Sequence, residues 1–230
     1  MQKRKGFILA NQFKSKKQIV YEQLRKEILE GIYLPGTRLV IDEQATRLGV
    51  SQIPIREAVH QLESDGFVSI AQHIGATITD LDANFIYEVF ALLESMEVIC
   101  SRTACRVITE KQLEELGNLI DAMDKTIDDP NRWSQQNKQM HLFLCDVAGT
   151  ELVRKMMLKV FDHWDRLRFH YLKNVLGHRI QDAQAEHKQI FEALSHRDED
   201  NVERIVRLHN QGALQSYIKH LQSHGHLEAV

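Results

Sequence analysis

From about residue 18 onward, the apolar positions of this chain recur mostly at helical spacing. Val20, Leu24 and Ile28 form one stripe over residues 18–31, and Pro35-Gly36 marks the turn that follows. A short helix pattern over 42–48 meets a turn at Gly49. A second helix opens at Ser51, whose hydroxyl can accept an orphan N–H of the first turn, and Pro54 falls within that turn, where a missing N–H costs little. Ile55, Ala58, Val59 and Leu62 make one apolar face, which leaves Gln52, Ile53, Arg56 and His60 on the others, and Gly66 ends the helix. Residues 67–70 and 76–78 then read as two β pieces around a tip containing His73 and Gly75. Helix, turn, helix and hairpin is the order of a winged helix-turn-helix, a unit that sets its second helix in the major groove of DNA.

After a short connection at 79–82 the pattern carries no strand signal. Helices are predicted near 82–107, 110–128, 133–148, 152–176, 179–196 and 198–223. Asp80 is a candidate cap for the first of them. Thr109 with Gln112 has the spacing of a capping box, and Gly149 and Gly177 sit where helices should stop. The expected fold is mainly α: an N-terminal winged helix with a small β-hairpin, then a C-terminal all-α bundle. The domain reading is a basic arm at 1–17, the winged helix at 18–78, the connection at 79–82, the bundle at 83–223 and a tail at 224–230.

Composition agrees with two ordinary folded parts. The chain has 230 residues, 43% of them hydrophobic, with three Pro and 11 Gly. No apolar run approaches a membrane span, and residues 7–10 are too short for a signal-peptide core, so a cytoplasmic protein is expected. Cys100, Cys105 and Cys145 lie on apolar helical patterns without a CxxC spacing, which predicts buried free thiols. Residues 1–78 carry 11 Lys and Arg against 8 Asp and Glu, whereas residues 79–230 carry 18 against 24. The basic excess falls on the part with the DNA-binding pattern, as phosphate contact requires. The arm from Lys3 to Lys17 is read as a loose tail rather than a phosphate clamp.

The segments Pro35-Gly36-Thr37-Arg38-Leu39, Leu48-Gly49-Val50-Ser51, Ile55-Arg56-Glu57-Ala58-Val59 and Leu62-Glu63-Ser64-Asp65-Gly66-Phe67-Val68 closely resemble the DNA-binding domain of the GntR family of bacterial transcription regulators. The resemblance implies DNA contacts from Ser51, Gln52, Ile53 and Arg56, with His73 and Gly75 at the wing. Gln52 stands where the family often has Arg. Glutamine favours adenine and arginine guanine, so the operator is expected to differ at that base. In the second part, Asn137 through His141, Glu186 through Leu194, and Val202 through His209 resemble the helical FCD effector domain of the FadR subfamily. That resemblance implies a small-molecule effector, a homodimer on an inverted-repeat double-stranded DNA operator, and a divalent metal ion held by Asn137, His141, His187 and His209.

The helical pattern points the same way without the family. Asn137 and His141 are four apart and share one face. His141 runs in a row with Leu144 and Ala148, His187 lies between Ala183 and Ile190, and His209 goes with Ile205 and Ala213. Three inward imidazoles on three helices form a metal or anion site, or else three separately satisfied core histidines. Zn²⁺, Ni²⁺ and Mn²⁺ all remain open. The family has Asp or Asn at this place, and Asn137 is neutral where an Asp would supply charge. Phe90 stands near where many FCD proteins carry an Arg that meets a carboxylate effector, so either the effector is not a small carboxylic acid or its anion partner lies elsewhere, at Arg102 or Arg168.

Two rival classes are weaker. A metal-dependent enzyme would use Glu186, but on a helix it points about 100° away from His187, and HExxH and Gly-rich phosphate loops are absent. An architectural DNA-binding protein would have no effector.

Overall fold

The computed structural model describes residues 15–72 and 74–223, with the backbone alone for 172–178. The chain divides into two compact units between Asp80 and Leu81.

The first unit contains α1 (Lys16–Leu29), β1 (Arg38–Leu39), α2 (Ile41–Leu48), α3 (Gln52–Ser64), β2 (Val68–Ala71) and β3 (Gly75–Ile78). Ser15 caps α1, its side chain accepting from Gln18 N. The α1 stripe packs with Ile55, Val59 and Leu62 of α3 and with Phe67, Val68 and Ile78 of the sheet. Glu27, on the buried side of α1, accepts two hydrogen bonds of 2.7 Å from Arg47 of α2. The fork of a guanidinium matches both carboxylate oxygens, so the buried Glu27 is paired with a cation that itself reaches solvent. Two expectations change. The wing is three-stranded, in the order β1-β3-β2, because Arg38 and Leu39 pair antiparallel with Thr77 and Ala76. Ser51 takes the extended cap conformation, but its side chain makes no cap hydrogen bond.

The second unit is helical: α4 (Ala83–Val107), α5 (Glu110–Asp124), α6 (Pro130–Ala148), α7 (Glu151–Ser195) and α8 (Glu199–Ser223). Asp82, not Asp80, caps α4, accepting from Phe85 N at 2.8 Å. The Thr109–Gln112 capping box is present at α5. Helix α6 begins earlier than expected, with Asp129 as cap and Pro130 in its first turn.

The largest departure is α7, which continues for 45 residues where two helices were expected to meet at Gly177. One interior glycine costs about 1 kcal/mol and, with no proline behind it, does not force a break. Both halves are anchored by packing. Met157, Phe161 and Trp164 join one core cluster, and Ile180, Ala183, Ile190 and Leu194 join another. The free-thiol expectation also fails for two cysteines. Cys100 of α4 and Cys145 of α6 form a disulfide with Cα atoms 4.8 Å apart, and Cys105 is a free buried thiol. The two cysteines lie 45 residues apart in the chain, and only the side-by-side packing of α4 and α6 brings them together. No helix among the described residues is long and apolar enough to cross a membrane.

Candidate functional site

Helix α3 divides its residues as its sequence pattern requires. Pro54, Ile55, Ala58 and Val59 are buried, while Gln52, Ile53 and Arg56 are exposed. Ile53 shows 69% of its surface, an unusual exposure for an isoleucine. An Arg56 Nη2 donates to Gln52 Oε1 at 3.0 Å, so the two polar side chains lie together at the start of the helix. At the wing, Gly75 has φ +92°, a backbone region that side chains disfavour. A Cβ there would lie 3.5 Å from Arg38 Nε, so the Arg38 guanidinium runs beside the wing tip. His73 lies outside the described residues.

In the second unit, α6 supplies Asn137 and His141, α7 supplies His187, and α8 supplies His209, all buried. The ring centroids are 5.5 Å apart for His141–His187, 5.4 Å for His141–His209 and 4.8 Å for His187–His209. One nitrogen from each ring lies within 4.8 Å of the others. Burial holds His141 and His187 well below the usual histidine range, and neighbouring rings push the same way. Both are therefore neutral, the form that ligates a metal.

The hydrogen bonds around the rings are incomplete. Among the described residues, neither nitrogen of His141 or of His187 has a hydrogen-bond partner, nor does Asn137 Oδ1. His187 stacks on Trp133 at 5.6 Å, a contact that satisfies no polar atom. His209 differs: its Nδ1 lies 2.8 Å from Glu186 Oε2. Burial alone would raise the Glu186 carboxyl, but hydrogen bonds from His209 and Arg179 outweigh it and hold the group below the usual range. Arg179 also donates to the His209 carbonyl at 3.0 Å. Buried polar groups almost always find partners. Five unpartnered polar atoms on three neighbouring buried side chains, with one nitrogen of each histidine ring drawn together, are the signature of a site built for something that completes it.

Beside the cluster lies a cavity of about 50 Å³, walled by Glu97, Trp133, Asn137, Arg179, His209 and Tyr217 among others. At roughly 10–15 Å³ each it has room for about three to five waters. Phe90 stands in the same wall, so that face is apolar.

Family models match both parts. "Bacterial regulatory proteins, gntR family" covers residues 16–78 and "FCD domain" covers 88–212, more than half of the chain. The protein is a GntR-family transcription regulator with an FCD domain. The HTH-type transcriptional regulator YdhC of Bacillus subtilis is 26% identical over 209 residues, 89% of this chain and 92% of that protein. The HTH-type transcriptional repressor RspR of Escherichia coli is 29% identical over 199 residues, 84% and 85% of the two chains. Among solved structures, E. coli McbR/YncC superposes with a TM-score of 0.68 at 18% identity, covering 92% of this chain and 99% of the other, a likeness of fold. These matches make the GntR protein a DNA-binding regulator with an effector domain, not an enzyme.

Within this regulator, His141, His187 and His209 come together, Asn137 lines the cavity beside them, and Gln52 and Arg56 pair on the exposed face of α3. Arg102 and Arg168, expected as anion partners, do not line the cavity. Arg102 is held by Asp200 at 3.0 Å and Glu203 at 2.6 Å, and Arg168 by Asn131 at 2.7 Å. The guanidinium in the cavity wall is Arg179. Glu186, set aside because it points away from His187, instead reaches His209 on the next helix. Sequence reading also passed over Glu97, Asn210 and Arg38. For Glu97 a signal existed: a charged residue between Met96 and Val98 on an otherwise apolar stretch of α4.

Proposed function

We propose that this GntR regulator holds one divalent cation on Asn137, His141, His187 and His209, and that a small effector bound beside the ion changes its affinity for an operator. The observation that carries the reading is the set of three converging imidazoles, two of them neutral and without a hydrogen-bond partner on either nitrogen, with an unpartnered amide oxygen nearby. A bound cation would polarise and anchor an effector through a coordination position the protein leaves open. Imidazole-rich donor sets accept Zn²⁺, Ni²⁺ and Mn²⁺, and the residues here do not choose among them. Glu186 fits the arrangement, since a carboxylate on His209 Nδ1 leaves Nε2 for the metal.

In the first unit, Ser51, Gln52, Ile53 and Arg56 read bases from α3, and the wing adds Gly75 and His73. The regulator acts as a homodimer on an inverted repeat, because a twofold protein presents two related recognition helices. Leu92 and Ile99, each 48% exposed and seven residues apart on α4, offer one apolar face for the contact. Repression is the sense carried by the name of RspR, and we assign it here.

The test is elemental analysis of protein purified without chelator or histidine tag, alongside operator titrations with and without added metal. Wild type should carry about one equivalent of metal. At ion concentrations 100-fold above Kd, binding adds about 2.7 kcal/mol of stability. The double variant His187→Ala, His209→Ala should lose both the metal and that stabilisation. A double variant that keeps one equivalent would show that the ligands lie elsewhere.

A further inference from the structure

Helix α4 carries a carboxylate into the same place. Glu97 is 3% exposed and stands in the cavity wall. Asn210 of α8 donates to its Oε2 at 2.6 Å, and also to the Val206 carbonyl at 3.2 Å, which fixes the amide and with it the acid. The other oxygen, Oε1, lies 3.5 Å from His141 Nδ1. Among the described residues, no lysine or arginine forms an ion pair with Glu97. Arg179 shares the wall but is committed to Glu186. A fully buried acid with no cation nearby is a destabilising choice unless something balances it.

The metal donors raise the complementary problem. Three imidazoles and an amide oxygen carry no charge, so a divalent ion among them would be buried with its charge uncompensated. Glu186 touches His209, but Arg179 already neutralises it. Glu97 is the one acid at the site without such a counter-ion. Its oxygens are not part of the converging donor group, so it stands behind His141 rather than beside the ion. This is the place from which a carboxylate orients a ligating histidine and makes it a better donor.

We propose that Glu97, clamped by Asn210, is the charge-compensating partner of the metal centre: it accepts the Nδ1 proton of His141, turns Nε2 of that ring toward the cation, and supplies the negative charge that Asn137 lacks. The inference rests on the metal reading above. Glu97 is thus a positioning residue, and this chain has moved the site's acid from α6 to α4.

The experiment is Co²⁺ binding to the full-length protein at fixed pH, followed by its visible absorption and by competition with a chromophoric chelator. Five proteins are compared: wild type, Glu97→Gln, Asn137→Asp, those two combined, and Asn210→Ala. Glu97→Gln should weaken Co²⁺ binding about 10–100-fold. Asn137→Asp should tighten binding in the wild-type background and recover most of the loss in the Glu97→Gln background, because it returns a negative charge to the site. Asn210→Ala, which keeps the acid but frees it, should give an intermediate loss, and it stands in should Glu97→Gln not fold. If wild type binds Co²⁺ and Glu97→Gln binds it equally well, the role of Glu97 is overturned while the metal site stands. A loss that Asn137→Asp does not recover overturns the charge argument. A wild type that binds no Co²⁺ overturns the metal reading, and this one with it.

Discussion

Replacing Gly212 of α8 with alanine tests whether Arg179 is pinned at the site. A Cβ at this position would lie 2.9 Å from Arg179 Nη2 and 3.2 Å from its Cζ. Relaxed contacts of this kind are about 3.5–4.0 Å, so the guanidinium must retreat by roughly half an ångström or more. It has little freedom to do so. Arg179 is 8% exposed, and the same Nη2 donates to Glu186 and to the His209 carbonyl. Each hydrogen bond from a charged donor contributes about 1.5–3 kcal/mol. Against this, alanine is favoured over glycine inside a helix by about 1 kcal/mol. Losing one bond outright and weakening the other gives a net destabilisation of about 1–3 kcal/mol. At about 2–4 °C per kcal/mol for a domain of this size, the thermal midpoint should fall by roughly 2–12 °C. The assay is thermal unfolding of the full-length protein, run as a double-mutant cycle with Arg179→Ala. In the Arg179→Ala background the obstacle is gone, so Gly212→Ala should stabilise by about the 1 kcal/mol of helix propensity. A rise in midpoint of equal size in both backgrounds would refute the claim that Gly212 is there to admit Arg179.

Arg56→Ala should weaken operator binding by about 1–3 kcal/mol without affecting folding, read by gel-shift titration at fixed salt; unchanged affinity would remove Arg56 from the recognition surface. Gln52→Arg should change base preference at one position per half-site in a binding-site selection. The metal-free protein should be most stable near pH 6.5. Burial holds His141 and His187 far below 6.5, so as pH falls beneath that value the unfolded chain binds protons the folded one refuses, at about 1.4 kcal/mol per pH unit for each. Glu97 is pushed up to about 8 by burial and works in the opposite sense: its contribution is lost as pH rises from 4.5 to about 8. Burial lowers His209 and His170 as well, so the histidines outweigh the one acid below pH 6.5, and above it the acid's trend prevails; denaturant melts showing stability still climbing from pH 6.5 to 8 would contradict this. Alkylation of unreduced, denatured protein should label Cys105 alone, and all three cysteines after reduction; three labelled thiols without reductant would deny the α4–α6 bridge.

Local sequence determined the elements and the type of the protein. The stripe of Val20, Leu24 and Ile28, the face of Ile55, Val59 and Leu62, and the Thr109–Gln112 cap are short-range signals, legible because a helix places residues three and four apart on one side. The inward direction of His141, His187 and His209 followed from the same periodicity. What periodicity does not contain is which helix lies beside which. Glu97 and Asn210 meet across 113 residues, Glu186 and His209 across 23, and Cys100 and Cys145 across 45. Each of these pairings depends on the packing of α4, α6, α7 and α8, and so each was missed or misassigned. Helix α7 failed for a related reason. A glycine is a local stop signal of about 1 kcal/mol, and the burial of both halves of the helix, a tertiary quantity several times larger, overrides it. The sequence thus determined that three histidines face inward together and that Gln52 and Arg56 lie on an exposed helix face. Tertiary structure alone decided which acids, amides and guanidinium surround the cluster, because charge and hydrogen bonding act through space and not along the chain.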